Sequence, residues 1–275
     1  MKKDVTEKLI QIVKRLRVKV QEDYLASFSA YAALFIIMSL FPLIMFLSTF
    51  IKRLPFGMEK MSMYVDQYIP GMVKPLVNQI ISEVYYIDTS NLKWITLLVT
   101  IFCASKGFYA IRQGMNVVYG IRESRNIVAR YVIASVYVVI FVLMLFMTFV
   151  IGVLGEEIVD ALLLLLPQFF PFELLIHIGR FFVMFIILSF FFLVMYLNIP
   201  NRKSQVKREL PGAIFTTLGW MLYSYAFSFY ISHLANYKVT YGSLATMIIF
   251  MVWFYSSMYI LFLGAECNVV LKEYL

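Results

Sequence analysis

Charge is scarce in this chain. Asp, Glu, Lys and Arg make up 15% of its 275 residues, where a soluble domain carries about 25%. Hydrophobic residues reach 62% and mean hydropathy is +0.82, which excludes water as the solvent for most of the surface. Cysteine is nearly absent. Cys103 and Cys267 lie in or beside apolar runs; they can build neither a disulfide framework nor a CxxC metal pair, and read as small buried residues. Histidine is equally rare, with His177 and His233 alone. No HExxH, GxSxG or Walker A pattern and no clustered His/carboxylate set occurs, so the motifs of common hydrolytic and metal-dependent chemistry are missing. The expectation is a non-enzyme with no cofactor and no metal. A secretory signal peptide is not expected either, because the first apolar run starts late, is too long and lacks a small-residue cleavage pattern.

What the chain has is long uncharged runs. Tyr24–Ile51, Tyr131–Gly155, Phe181–Asn201, Leu210–Tyr237 and Val239–Ala265 contain no Asp, Glu, Lys or Arg. Each exceeds the roughly 18 residues expected of a spanning helix. A further run, Trp94–Ile111, is interrupted by Lys106. One Lys at a helix centre costs about 2.5–3.5 kcal/mol, roughly offset by the eight Ile, Leu, Val and Phe residues around it at about 0.3–0.6 each. Ala161–Phe172 is too short and holds Pro167 and Pro171, so it reads as an interfacial dip. The fold class expected is an all-α membrane protein of six transmembrane helices. Three regions follow: a basic segment 1–23, a six-span domain 24–271 and a short tail 272–275.

Lys and Arg concentrate in short cytoplasmic loops. Here they crowd the tail before residue 20, the connection Arg112–Arg130 and the connection Arg202–Arg208, while Glu156, Glu157, Asp160 and Glu173 mark the opposite side. Both termini are therefore expected in the cytoplasm. Lys52 and Arg53 are the local violation. This distribution accounts for the net charge of +8 without nucleic acid, which is not expected as a partner. Val5, Leu9, Ile12, Val13, Leu16 and Val20 form a helical stripe beside Lys8, Lys14, Arg15 and Lys19. An amphipathic helix follows, either interfacial on an anionic inner leaflet or packed on the cytoplasmic loops. In the outer connection 53–92, Pro70–Gly71 precedes a second apolar stripe over residues 76–84 that is expected to cover something.

Ionisable groups inside a membrane are functional candidates. Lys106 leads, with Glu266 as a candidate partner that Arg112 could equally take; Arg180 reads as an interfacial anchor. The candidate working interior comprises Pro42, Lys106, Arg112, Asn116, Tyr241, Glu266 and Asn268. Pro42 kinks its span. Pro211 and Gly212 read as the start of the fifth span, and Gly242 with Ser243 as the turn and N-cap of the sixth.

Several short motifs run in order from about residue 25 to 270. They are Phe41–Pro42–Leu43, Ser105, Asn116 with Tyr119–Gly120, Tyr196 with Pro200–Asn201, Leu210–Pro211–Gly212–Ala213, Tyr241–Gly242–Ser243–Leu244 and Gly264–Ala265–Glu266–Cys267–Asn268. In this register the chain resembles the YihY/BrkB family of bacterial integral membrane proteins. Lys106 departs from the family pattern, where a small residue or Ser precedes Arg. The resemblance implies a multi-pass protein of the bacterial cytoplasmic membrane and a role in moving envelope lipid or glycolipid. It also brings the old label ribonuclease BN, which fits poorly, since a metallo-nuclease needs a His/Asp cluster to activate water. The function expected is transport or organisation of an amphiphilic or anionic, lipid-like envelope substrate. A non-transporting scaffold is the alternative and a membrane-bound ribonuclease the remote one. Expected partners are anionic inner-leaflet lipids, with a homo-oligomer or an envelope-assembly protein left open.

Overall fold

In a computed structural model the chain is described over residues 2–51, 93–122, 173–233 and 242–274, with isolated positions 82, 126, 136 and 140. Six helices carry the described residues, and no strand occurs among them: α1 (Lys2–Glu22), α2 (Leu25–Ile51), α3 (Lys93–Val118), α4 (Glu173–Asn198), α5 (Val206–His233) and α6 (Gly242–Tyr274). Three stretches are long and apolar enough to cross a membrane, Trp94–Val118, Phe181–Asn198 and Ile248–Tyr274. They coincide with the second, fourth and sixth expected spans; α2 and α5 occupy the first and fifth. The third expected span, the Ala161–Phe172 dip and the 53–92 connection lie outside the described residues.

Helix ends follow local chemistry. α1 stops at Asp23 and Tyr24, where Tyr24 takes φ 52°, a left-handed conformation that costs a non-glycine residue about 1–2 kcal/mol. α3 closes in a Schellman motif. The Ile121 N–H reaches Asn116 C=O at 2.7 Å and the Gly120 N–H reaches Val117 C=O at 2.9 Å, with Gly120 at φ 64°, the conformation for which glycine is selected at this position. α4 ends ahead of Pro200, since the residue before proline is driven out of helical geometry. α5 starts at Val206, earlier than expected, so Pro211 lies inside the helix. The correction has a physical origin. The basic-acidic stretch Lys207–Glu209 reads as loop, but Glu209 is 1% exposed and belongs to the first helical turn. α3 likewise runs past Ile111 to Val118, carrying Arg112 with it.

The chain divides into two units. The first comprises residues 1–35, 106–137 and 185–275. In it α1 packs on α6, and α5 packs along α6. Its polarity is inverted relative to a water-soluble domain. Phe190, Leu218, Leu222 and Tyr225 are more than half exposed, whereas Arg112, Asn116, Thr216, Thr217, Glu266 and Asn268 are buried. Exposed apolar surface on this scale marks contact with membrane or protein. The second unit comprises residues 36–105 and 138–184. There Thr96 and Thr100 face inward, the Thr100 hydroxyl bonding Thr96 C=O at 2.7 Å, while Trp94, Leu98 and Phe102 face out.

Small residues let α5 and α6 approach closely. A Cβ on Gly264 would fall on Thr216 Oγ1 and 2.5 Å from the Tyr196 hydroxyl; one on Gly212 would fall on Gly264 C=O and the Asn268 amide. Close backbone approach at glycine is how helices pack in lipid, where hydrophobic segregation no longer drives association.

Candidate functional site

One group of buried polar side chains in the first unit gathers where α3 and α4 end, α5 begins and α6 passes. Glu209 is the centre. Its Oε1 accepts from Arg202 Nη2 at 2.5 Å and from the Ser204 hydroxyl; its Oε2 accepts from the Tyr119 hydroxyl at 2.8 Å and Asn268 Nδ2 at 3.0 Å. A carboxylate offers about four acceptor positions, so Glu209 is saturated. The Arg202 guanidinium also lies 3.7 Å from the centroid of the Tyr119 ring, a cation–π contact. Asn268, 5% exposed, links three elements. Its Oδ1 accepts the Gly212 N–H at 2.6 Å, and its Nδ2 also reaches Glu209 C=O at 3.2 Å.

Pro211 explains part of this. Lacking an N–H, it breaks the helical ladder at the start of α5, and the next donor, Gly212 N–H, is taken by Asn268. Asn116 joins from the α3 side, its Oδ1 accepting the Asn201 N–H at 3.0 Å, next to Arg202. Burial, then the Glu209 carboxylate, push the Tyr119 phenol well above its ordinary pKa. Tyr119 therefore stays a donor at physiological pH. With every oxygen of Glu209 occupied, the cluster is a clamp rather than an acid–base pair.

Deeper between the helices, the Tyr196 hydroxyl donates to Leu261 C=O at 2.7 Å and sits 2.5 Å from Thr216 Oγ1, while Ser189 donates to Thr217 at 3.1 Å. Around the clamp, Arg122, Lys203, Lys207 and Arg208 are exposed.

Of the residues expected to form the working interior, Asn116 and Asn268 belong to this cluster. Glu266 does not: two residues from Asn268, it points to another side of α6, towards Asp23, with Lys19 and Arg15 as the next charges. Lys106 is not among its principal neighbours. Lys106 is half-buried and Arg112 buried on α3, the Arg112 guanidinium 5.6 Å from the Tyr109 ring centroid. Ten residues before Asn116, Lys106 lies about 15 Å away along the helix axis. Pro42 is buried inside α2. Gly242 begins α6; Tyr241 and the Ser243 side chain lie outside the described residues. Sequence reading missed Tyr119, Arg202, Ser204 and Glu209 as site residues. Their available signal was Glu209 directly ahead of Pro211–Gly212, a charge inside a helix start. Among the described residues, no three His, Cys, Asp or Glu side chains come together as metal ligands.

A helical fold with an apolar exterior and polar groups enclosed between helices defines the class of helical membrane proteins. Within it, the chain belongs to the BrkB family: the family described as Virulence factor BrkB matches residues 16–275. It is 30% identical over 252 residues, 89% of both chains, to the ribonuclease-like protein YfkH of Bacillus subtilis. It is 40% identical over 75 residues to a UPF0761 membrane protein of Pseudoalteromonas translucida, covering 27% of this chain and 25% of that one. A UPF0761 membrane protein of Idiomarina loihiensis is 40% identical over 90 residues, 32% of each chain. The chain thus spans about a quarter to a third of these UPF0761 relatives. No solved structure matches it.

Proposed function

We propose that this protein crosses the bacterial cytoplasmic membrane six times with both termini in the cytoplasm, and that it transports or organises an anionic, lipid-like envelope substrate. One observation carries the reading. Exposed Arg122, Lys203, Lys207 and Arg208 ring a rigid buried clamp at one end of the helices, whose flanks expose large apolar side chains. Cations at the membrane surface attract anionic headgroups, and the apolar flanks suit acyl chains. Arg15 pairs with Glu273 at 3.1 Å, so the first and last helices meet on one side, as an even number of crossings requires. The basic loops support a cytoplasmic location for that side.

The test is reconstitution in vesicles containing fluorescent anionic phospholipid, followed by a leaflet-specific quencher. Redistribution or retention of the probe by the wild type, weakened when Lys203, Lys207 and Arg208 are changed together to Gln, is the expected outcome. Neither effect in the wild type would overturn the reading.

A scaffold without a transport path is the second reading, favoured by the saturation of Glu209 and Asn268, which leaves the clamp no open valence. It predicts that loop exchange abolishes function while Glu266→Gln and Lys106→Gln do not. Catalysis is not part of either reading. Despite the name of the Bacillus subtilis relative, divalent-metal-dependent RNA cleavage by purified protein is expected to be absent, and its detection would sink both.

A further inference from the structure

Glu266 has no exposed surface, and among the described residues neither carboxyl oxygen has a hydrogen-bond donor from another group. An ionised carboxylate left that way is too costly to persist. The group facing it from α1 is a second carboxyl, Asp23. Asp23 already has a cation, Lys19 Nζ at 3.4 Å. Arg15, the next charge on α1, is engaged by Glu273 of α6 at 3.1 Å. The thiol of Cys267 adjoins on α6. The pair sits where α1 meets α6, one residue before the left-handed Tyr24 at φ 52°.

We propose that Asp23 and Glu266 form a proton-binding site, in which Glu266 holds one exchangeable proton, donates it to the Asp23 carboxylate and so fastens α1 to α6. The charges decide for this arrangement. Lys19 already pairs with Asp23, and a protonated Glu266 supplies the donor that two facing carboxyl groups otherwise lack. A hard metal ion needs about six oxygens, whereas this pair offers two carboxyl groups beside an ammonium. When the proton leaves, two carboxylates face each other, and repulsion opens the contact about the Tyr24 connection. This site depends only on the α1–α6 contact and stands apart from the transport reading.

Two measurements on the purified full chain in lipid nanodiscs test it. Hydrogen–deuterium exchange of α1 amides, normalised to an unstructured peptide at each pH, should show protection falling with rising pH by up to about tenfold per unit, as release of one proton requires. Glu266→Gln, a neutral donor, should keep protection high and flat. Infrared difference spectra of the wild type should show a protonated-carboxyl band at neutral pH that disappears in alkali. That second measurement needs no variant, so a poorly folding Glu266→Gln would not rescue the idea. A wild-type profile flat in pH, or the absence of the protonated-carboxyl band, would overturn it.

Discussion

Glu209 takes hydrogen bonds from four side chains, and of these only Arg202 neutralises its charge. The carboxylate side chain is 2% exposed and that of Arg202 23%. Removing one partner of a buried pair leaves an uncompensated charge and typically costs about 3–5 kcal/mol. Arg202→Ala is therefore expected to lower the thermal unfolding midpoint in detergent steeply. Arg202→Lys should recover only part of the loss, since an ammonium keeps the charge but cannot stack flat on Tyr119 while gripping Oε1. An unchanged midpoint in Arg202→Ala would show that the pair contributes nothing to stability. Glu209 was not legible as a site residue, because its partners Tyr119 and Asn268 are 90 and 59 positions away. Along the chain it is one more isolated carboxylate. Asn116 and Asn268 were legible for the opposite reason: an amide enclosed in an apolar run must find partners, even when the sequence does not say which.

At the scale of the element, the contact between α5 and α6 depends on what its glycines omit. Gly264→Ala would drive a methyl group onto Thr216 Oγ1 and the Tyr196 hydroxyl, which are tied to Leu261 C=O and cannot both retreat. Overpacking of this kind costs about 1–3 kcal/mol, with the lost hydrogen bonds added. Gly219→Ala is the internal control. Its Cβ would stand 3.1 Å from the Ile260 side chain alone, which can shift, so a much smaller change is expected. Thermal unfolding of the two variants side by side checks the difference, and equal effects would refute the close-approach account. Helix existence was legible from uncharged runs, whereas boundaries were not where charge was used as the marker. Arg112 and Glu209 are both buried within helices, because neighbouring helices supply the polar environment that lipid cannot.

For the whole molecule, two independent observations bear on how the chain threads the membrane. One is the alternation of basic and acidic connections, on which the proposed sidedness rests. The other is the junction of α1 with the end of α6, where Arg15 meets Glu273 and Asp23 faces Glu266. Since α6 has 33 residues, it is about 50 Å long and outreaches a hydrocarbon core of about 30 Å. Its last turns can therefore stand clear of the lipid, where α1 and the basic loops are. Under the proposed topology this junction corresponds to an even number of crossings between residues 23 and 266, independently of where Lys52 and Arg53 fall. Fluorescent-protein and alkaline-phosphatase fusions separate the cases. With six crossings, a carboxyl-terminal fluorescent protein should glow and a carboxyl-terminal phosphatase stay inactive, with the reverse for fusions in the Glu156–Glu173 connection. An active phosphatase at both termini would place both ends outside. Opposite signals at the two termini would break the α1–α6 junction itself, and with it the proton site built there.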